Sequence, residues 1–119
     1  MAVKTVLDVA GAKYKIHNIL LDKGDHKQPD YLTKSPLGLV PALTHNGYNM
    51  VESASILWFL AIKFGLHNLY PENLTEWHAI DTALDYNGNT LRRICDGCSM
   101  GIVFNPIFGG RQAIKDERV

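Results

Sequence analysis

A chain of 119 residues, 46% of them hydrophobic, is long enough for one compact core and too short for two comfortable ones. Lys and Arg number 12 and Asp and Glu number 12, so no net field gathers nucleic acid or an anionic membrane from a distance. No apolar run of transmembrane length and no secretory leader is present, which makes a cytosolic protein without nucleic-acid or membrane partners the expectation.

Val3, Val6, Leu7 and Ala10 recur at helical spacing before Gly11, which predicts a helix over residues 2–10. Tyr14 to Leu21 mixes aromatic and branched residues over one strand length, then breaks into the polar loop Asp22 to Pro29. Asp30 to Lys34 is read as a single helical turn, because Pro29 suits a first helical position and Ser35-Pro36 disfavours continuation. Val40 to His45 and Tyr48 to Val51 flank Asn46-Gly47, a dipeptide suited to the positive backbone angles of a two-residue hairpin turn.

From Ser53 to Phe64 the chain is apolar nearly all round, opens on a capping serine and stops at Gly65, as expected of a helix buried between two layers. After Leu69-Tyr70-Pro71, a second helix is expected from Thr75 to Asp96, with Trp77, Ile80, Leu84, Leu91 and Ile94 on one stripe and Gly88 as its weak point. The segment after Gly97 is rich in glycine and is expected to be irregular. The sum is an α/β fold, with one strand in a right-handed crossover and a terminal hairpin.

Ser35-Pro36-Leu37-Gly38-Leu39-Val40-Pro41-Ala42-Leu43, Asn46-Gly47, and Glu52-Ser53-Ala54-Ser55-Ile56-Leu57 stand in one order, and that order resembles the glutathione transferases. Lys23-Gly24-Asp25-His26-Lys27 is similar to the loop that the theta and phi classes place after their second strand. Leu69-Tyr70-Pro71 and Leu91-Arg92-Arg93 look like the start of the theta-class helical domain. The resemblance implies a thioredoxin-like, glutathione-binding N-terminal domain over residues 1–66, a linker at 67–74, and the beginning of an all-helical domain at 75–119. Matched to the family, Ala2-Val3 falls in the first helix, so the first strand is expected to be absent.

The resemblance also implies a set of site residues. Val40-Pro41 would be a cis bond, with the Val40 backbone pairing with the cysteinyl part of glutathione as an added strand does. Ser53 would hold the γ-glutamyl carboxylate at a helix start, where unpaired N–H groups and the helix dipole attract an anion. Glu52 would accept from the γ-glutamyl ammonium, and His26 and Lys27 match positions that contact the glycyl carboxylate. Leu39 lies in the same set, although the family usually has Gln or Lys there.

The family activates the glutathione thiol through a hydroxyl at the end of the first strand, since a hydrogen bond to the thiolate lowers its pKa. No catalytic residue is assigned in this chain. Glutathione is expected as co-substrate with no cofactor or metal, a hydrophobic electrophile as the second substrate of the complete form, and a homodimer as the assembly. Such a protein conjugates glutathione to electrophiles and serves detoxification. The alternative is a noncatalytic transferase-like module for protein contacts.

Cys95-Asp96-Gly97-Cys98 has the spacing of a redox pair, but it closes a helix, where the dipole raises a thiol pKa rather than lowering it. A thiol–disulfide role is therefore the least favoured reading. His17, His45, His67 and His78 show no metal-ligand spacing.

Overall fold

The computed structural model describes residues 2–99, with side chains through Cys95. Contacts divide the chain into two compact units, Met1–His78 and Ala79–Val119. The expected irregular segment lies outside the described residues from residue 100 onward; before it, helix continues as far as Ser99.

Helix α1 runs Ala2–Val9, and it ends where Gly11 predicts. The Gly11 N–H donates to the Asp8 carbonyl and the Ala12 N–H to the Leu7 carbonyl, both at 3.0 Å, which is the paired bonding of a Schellman cap. Leu7 is buried, and Val3 and Val6 pack beside it.

Tyr14 to Leu21 does not form the expected strand: no sheet ladder includes it, and Ile16, Leu20 and Leu21 are exposed. A strand satisfies its N–H and C=O groups only on a neighbouring strand, and none of the described residues supplies one there. The segment is held by side chains instead. Tyr14 packs against the core and its hydroxyl donates to Asp8 Oδ1, while Lys4 Nζ donates to the other carboxylate oxygen at 2.6 Å. Farther on, Asp25 Oδ2 accepts from the Leu20 N–H at 3.0 Å and the Asp25 N–H donates to the Leu20 carbonyl at 3.2 Å.

A single 3-10 turn, Asp25–Lys27, precedes the short helix α2, Pro29–Leu32. The sheet has two antiparallel strands, β1 Ala42–His45 and β2 Tyr48–Val51. Their register pairs Ala42 with Val51 and His45 with Tyr48. Asn46 and Gly47 join them with φ of 49° and 79°, the two positive angles of a type I′ turn. Strand β1 begins two residues later than the sequence suggests, because Pro41 has no N–H to give a ladder.

Helix α3 runs Ser53–Lys63 and ends in a second Schellman cap, with Gly65 N–H on Ile62 at 3.1 Å and Leu66 N–H on Ala61 at 2.8 Å. Its start differs from expectation. The Ile56 N–H bonds to the Glu52 carbonyl at 3.0 Å, so Glu52 takes the cap position and Ser53 becomes the first helical residue. Burial of α3 is uneven along its length: Ile56, Leu60 and Ala61 are buried, whereas Ile62 is 53% exposed. Ile56 and Leu60 join Leu7 of α1 and Met50 of β2 in one core cluster. On the other face Trp58 stacks on Trp77 with ring centroids 6.5 Å apart, and Tyr70 meets both edge-on.

Helix α4, Leu74–Tyr86, starts at Asn73, whose Oδ1 accepts from the N–H groups of Thr75 at 2.9 Å and Glu76 at 3.2 Å. That is side-chain capping. The expected long helix is interrupted: Asn87–Leu91 is a π turn, and α5 follows at Arg92–Ser99. Glycine destabilises a helix interior, and Gly88 lies inside that turn. The apolar stripe ends with it. Trp77, Ile80 and Leu84 are half-buried, but Leu91 and Ile94 are exposed.

Candidate functional site

The turn from Ser35 to Leu39 is built from the inside. Ser35 is buried, with 1% of its surface exposed, and its hydroxyl makes two bonds to one residue. It accepts from the Leu39 N–H at 3.1 Å and donates to the Leu39 carbonyl at 2.9 Å. The Tyr31 hydroxyl donates to the same carbonyl at 2.8 Å. Burial pushes the Tyr31 hydroxyl above the usual tyrosine pKa, so it stays a donor at neutral pH. Leu39 is thus fixed through its backbone, while its side chain is 55% exposed.

Val40 follows directly, and its bond to Pro41 is cis. Among the described residues, the Val40 N–H and C=O have no hydrogen-bond partner. The hairpin register then places the remaining pieces. Ala42 pairs with Val51, so Val40-Pro41 and Glu52-Ser53 adjoin the same end of the hairpin.

At that end α3 begins. Glu52 has φ 66° and ψ 112°, an uncommon conformation for a residue with a side chain, and such strain clusters at ligand sites. No side chain caps the helix there, so the N–H groups of its first turn remain open to an acceptor. With Glu52 in the cap position, the Ser53 hydroxyl is also uncommitted among the described residues.

His26 and Lys27 approach from the 3-10 turn. A methyl group placed on Gly38 would meet the His26 carbonyl at 2.6 Å and Lys27 Nζ at 3.1 Å. Gly38 also has φ 65°, so both its backbone angle and its close neighbour require the absence of a side chain. Lys27 Nζ reaches the Leu37 carbonyl at 3.5 Å, and His26 Nδ1 is buried without a partner among the described residues.

The fold therefore gathers the predicted residues in two groups. His26 and Lys27 lie against the turn that carries Leu39 and Val40, and Glu52 and Ser53 leave the hairpin at the same end as Val40. Among the described residues, no hydrogen bond or ion pair joins the side chains of one group to those of the other. The residues that sequence reading passed over are Tyr31, Ser35 and Gly38. The fixed Ser-Pro-x-Gly spacing was the available signal, since it marks a turn whose backbone must be held closely.

Cys95 is exposed within α5 and Cys98 falls in its last turn, with a side chain outside the described residues. Neither cysteine opens a helix. A separate cleft of about 340 Å³ lies at the other end of α3, lined by Ala61, Ile62, Tyr70 and Trp77 among others.

Comparison with known proteins agrees with this arrangement. The family model for the glutathione S-transferase N-terminal domain matches residues 1–62, just over half of the 119-residue chain. The chain is 32% identical over 100 residues to glutathione S-transferase theta-1 of Rattus norvegicus, covering 83% of this chain and 42% of the relative. Among solved structures, Bombyx mori glutathione transferase BmGSTD1 superposes with a TM-score of 0.79 at 27% identity, over 87% of this chain and 49% of that one. A glutathione S-transferase-I bound with the ligand lactoylglutathione superposes with a TM-score of 0.71 at 28% identity, over 90% and 51%. The chain spans about half the length of the relatives it matches. The fold is the thioredoxin-like one of these structures, and the chain belongs to the glutathione S-transferase family.

Proposed function

We propose that this chain carries the glutathione-binding half of a glutathione transferase, and that the complete form conjugates glutathione to electrophiles. The observation that carries the reading is the juxtaposition at one end of the hairpin. There the Val40 backbone, without a partner among the described residues, and the open start of α3 at Glu52 and Ser53 adjoin one end of the hairpin.

In this reading the Val40 N–H and C=O pair with the cysteinyl segment as an added strand. Ser53 and the first-turn N–H groups take the γ-glutamyl carboxylate, and Glu52 accepts from the adjacent ammonium. His26 and Lys27 take the glycyl carboxylate, next to Leu39. The glutathione sulfur reacts as thiolate, forming a carbon–sulfur bond while a leaving group departs or a double bond takes up the electron pair. Its activating hydroxyl is not assigned to any residue here.

Residues 1–66 form the binding domain, 67–74 the linker and 75–119 the start of the helical domain. The complete form takes a hydrophobic electrophile as second substrate, is dimeric and cytoplasmic, and uses glutathione as co-substrate without a further cofactor. Glutathione-affinity chromatography tests the binding reading. The chain is retained, and Glu52→Ala or Ser53→Ala releases it; retention unchanged in both variants refutes the assignment. Conjugation of a standard aromatic electrophile is expected to be weak or absent, and rapid turnover would place an activating group within these residues.

A further inference from the structure

We infer that Tyr31 and Ser35 are positioning residues for glutathione, setting the backbone of Leu39 and Val40 at the depth and angle the ligand needs. The inference rests on the glutathione-binding reading and adds to it two side chains that do not touch the ligand.

Three hydrogen bonds converge on one residue. The Leu39 carbonyl accepts from Tyr31 at 2.8 Å and from Ser35 at 2.9 Å, and the Leu39 N–H donates to Ser35 at 3.1 Å. Both polar groups of that residue are thereby used, and both lone pairs of its carbonyl are occupied. The peptide group between Leu39 and Val40 includes this carbonyl and the Val40 N–H in one plane. Fixing the carbonyl therefore fixes the direction of the N–H that pairs with the ligand.

The donors are well placed to do this. Ser35 is 1% exposed and Tyr31 9% exposed, so both bonds lie out of competition with water. The Ser35 N–H is itself bonded to the Tyr31 carbonyl at 2.9 Å, which ties the two donors together through α2. Gly38 links this turn to the other end of the site, because its bare α-carbon lets the His26 carbonyl and Lys27 approach. A shift of the Leu39 backbone would therefore be felt at the glycyl end as well.

The test is calorimetric titration of the whole 119-residue chain with reduced glutathione, at a temperature where each variant is fully folded. Tyr31→Phe is expected to weaken binding about fivefold, the effect of losing one partly buried hydrogen bond, and Ser35→Ala, which loses two, about tenfold or more. The double variant loses less than the product of the two, because both hydroxyls serve one carbonyl. Asn73→Ala, which removes a helix cap elsewhere, serves as the control. It lowers the melting temperature without changing affinity, whereas a merely structural role for Tyr31 and Ser35 would give the same pattern as this control. Tyr31→Phe keeps the packed ring and decides the matter if Ser35→Ala does not fold. Affinities within about twofold of wild type, or no weaker than the control, overturn the positioning role alone. No binding by the folded wild-type chain overturns the glutathione reading and this inference with it.

Discussion

Helix α3 and the segment from Tyr14 to Leu21 have similar apolar content, yet the chain treats them differently. The first is regular and has Ile56 at 0% exposure; the second joins no ladder and leaves Ile16 48% exposed. A helix closes its hydrogen bonds within itself, so an apolar helical run needs no partner strand to form. A strand depends on another stretch of chain for every bond it makes. Apolar pattern is therefore a fuller instruction for a helix than for a strand.

Hydrogen exchange reads this contrast most directly. Amides in the middle of α3 are expected to exchange at least about a hundredfold more slowly than those of Tyr14 to Leu21, since protection follows buried, bonded backbone. Equal rates would show that the segment is ordered by something other than its few side-chain anchors. Next in size, Ile56→Ala should cost about 3 kcal/mol in urea unfolding, the usual penalty for emptying a fully buried site. A loss near zero would mean that the cluster of Leu7, Met50, Ile56 and Leu60 is not the centre of stability.

The cap of α4 comes third: Asn73→Ala should cost about 1 kcal/mol by thermal melting, and Asn73→Ser should recover most of it. Smaller still, Leu20→Ser, at a position 43% exposed, should stay within about 0.5 kcal/mol. A larger loss would reveal packing on a segment that the fold leaves open.

The last prediction concerns pH. Hydrogen bonds from Lys4 and Tyr14 lower the Asp8 pKa below its ordinary value of 3.8. A depressed carboxylate contributes stability above its unfolded pKa, and that contribution is lost as pH falls through the folded value. An acid titration should therefore show Asp8→Asn and wild type converging as pH drops below about 3.8, with a difference present above it. Parallel curves across that window would remove Asp8 as the anchor of Tyr14.

Much of the fold was legible because its signals are local. Gly11 and Gly65 mark helix ends through backbone angles that few other residues adopt, and Asn46-Gly47 fixes a hairpin turn by the same means. The helix start at Ser53 was legible to within one residue, but which residue caps it depends on the backbone of Glu52, which no sequence pattern specifies. The state of Tyr14 to Leu21 was not legible, since a strand's existence depends on a partner outside the segment. The exposure of Ile62 was missed for a related reason: an all-round apolar helix names no particular neighbour.

The candidate site divides in the same way. Val40, Pro41, Glu52 and Ser53 could be proposed from the ordered motif and its resemblance to a family. Tyr31 could not, and Ser35 only as the first residue of the Ser-Pro-x-Gly turn, because a tyrosine and a serine act together here only through a shared carbonyl on a third residue.

The π turn at Asn87–Leu91 has a consequence for how this part of the chain can change length. Five residues in that wider turn lag an ordinary helix by about a quarter turn, which is close to the angle contributed by one residue. The turn therefore behaves as a stored single-residue insertion. Deleting Gly88 should let α4 and α5 merge into one regular helix while Leu91 and Ile94 keep their present facing, off the line of Leu84, whereas the same deletion inside α3 would throw its buried face out of phase.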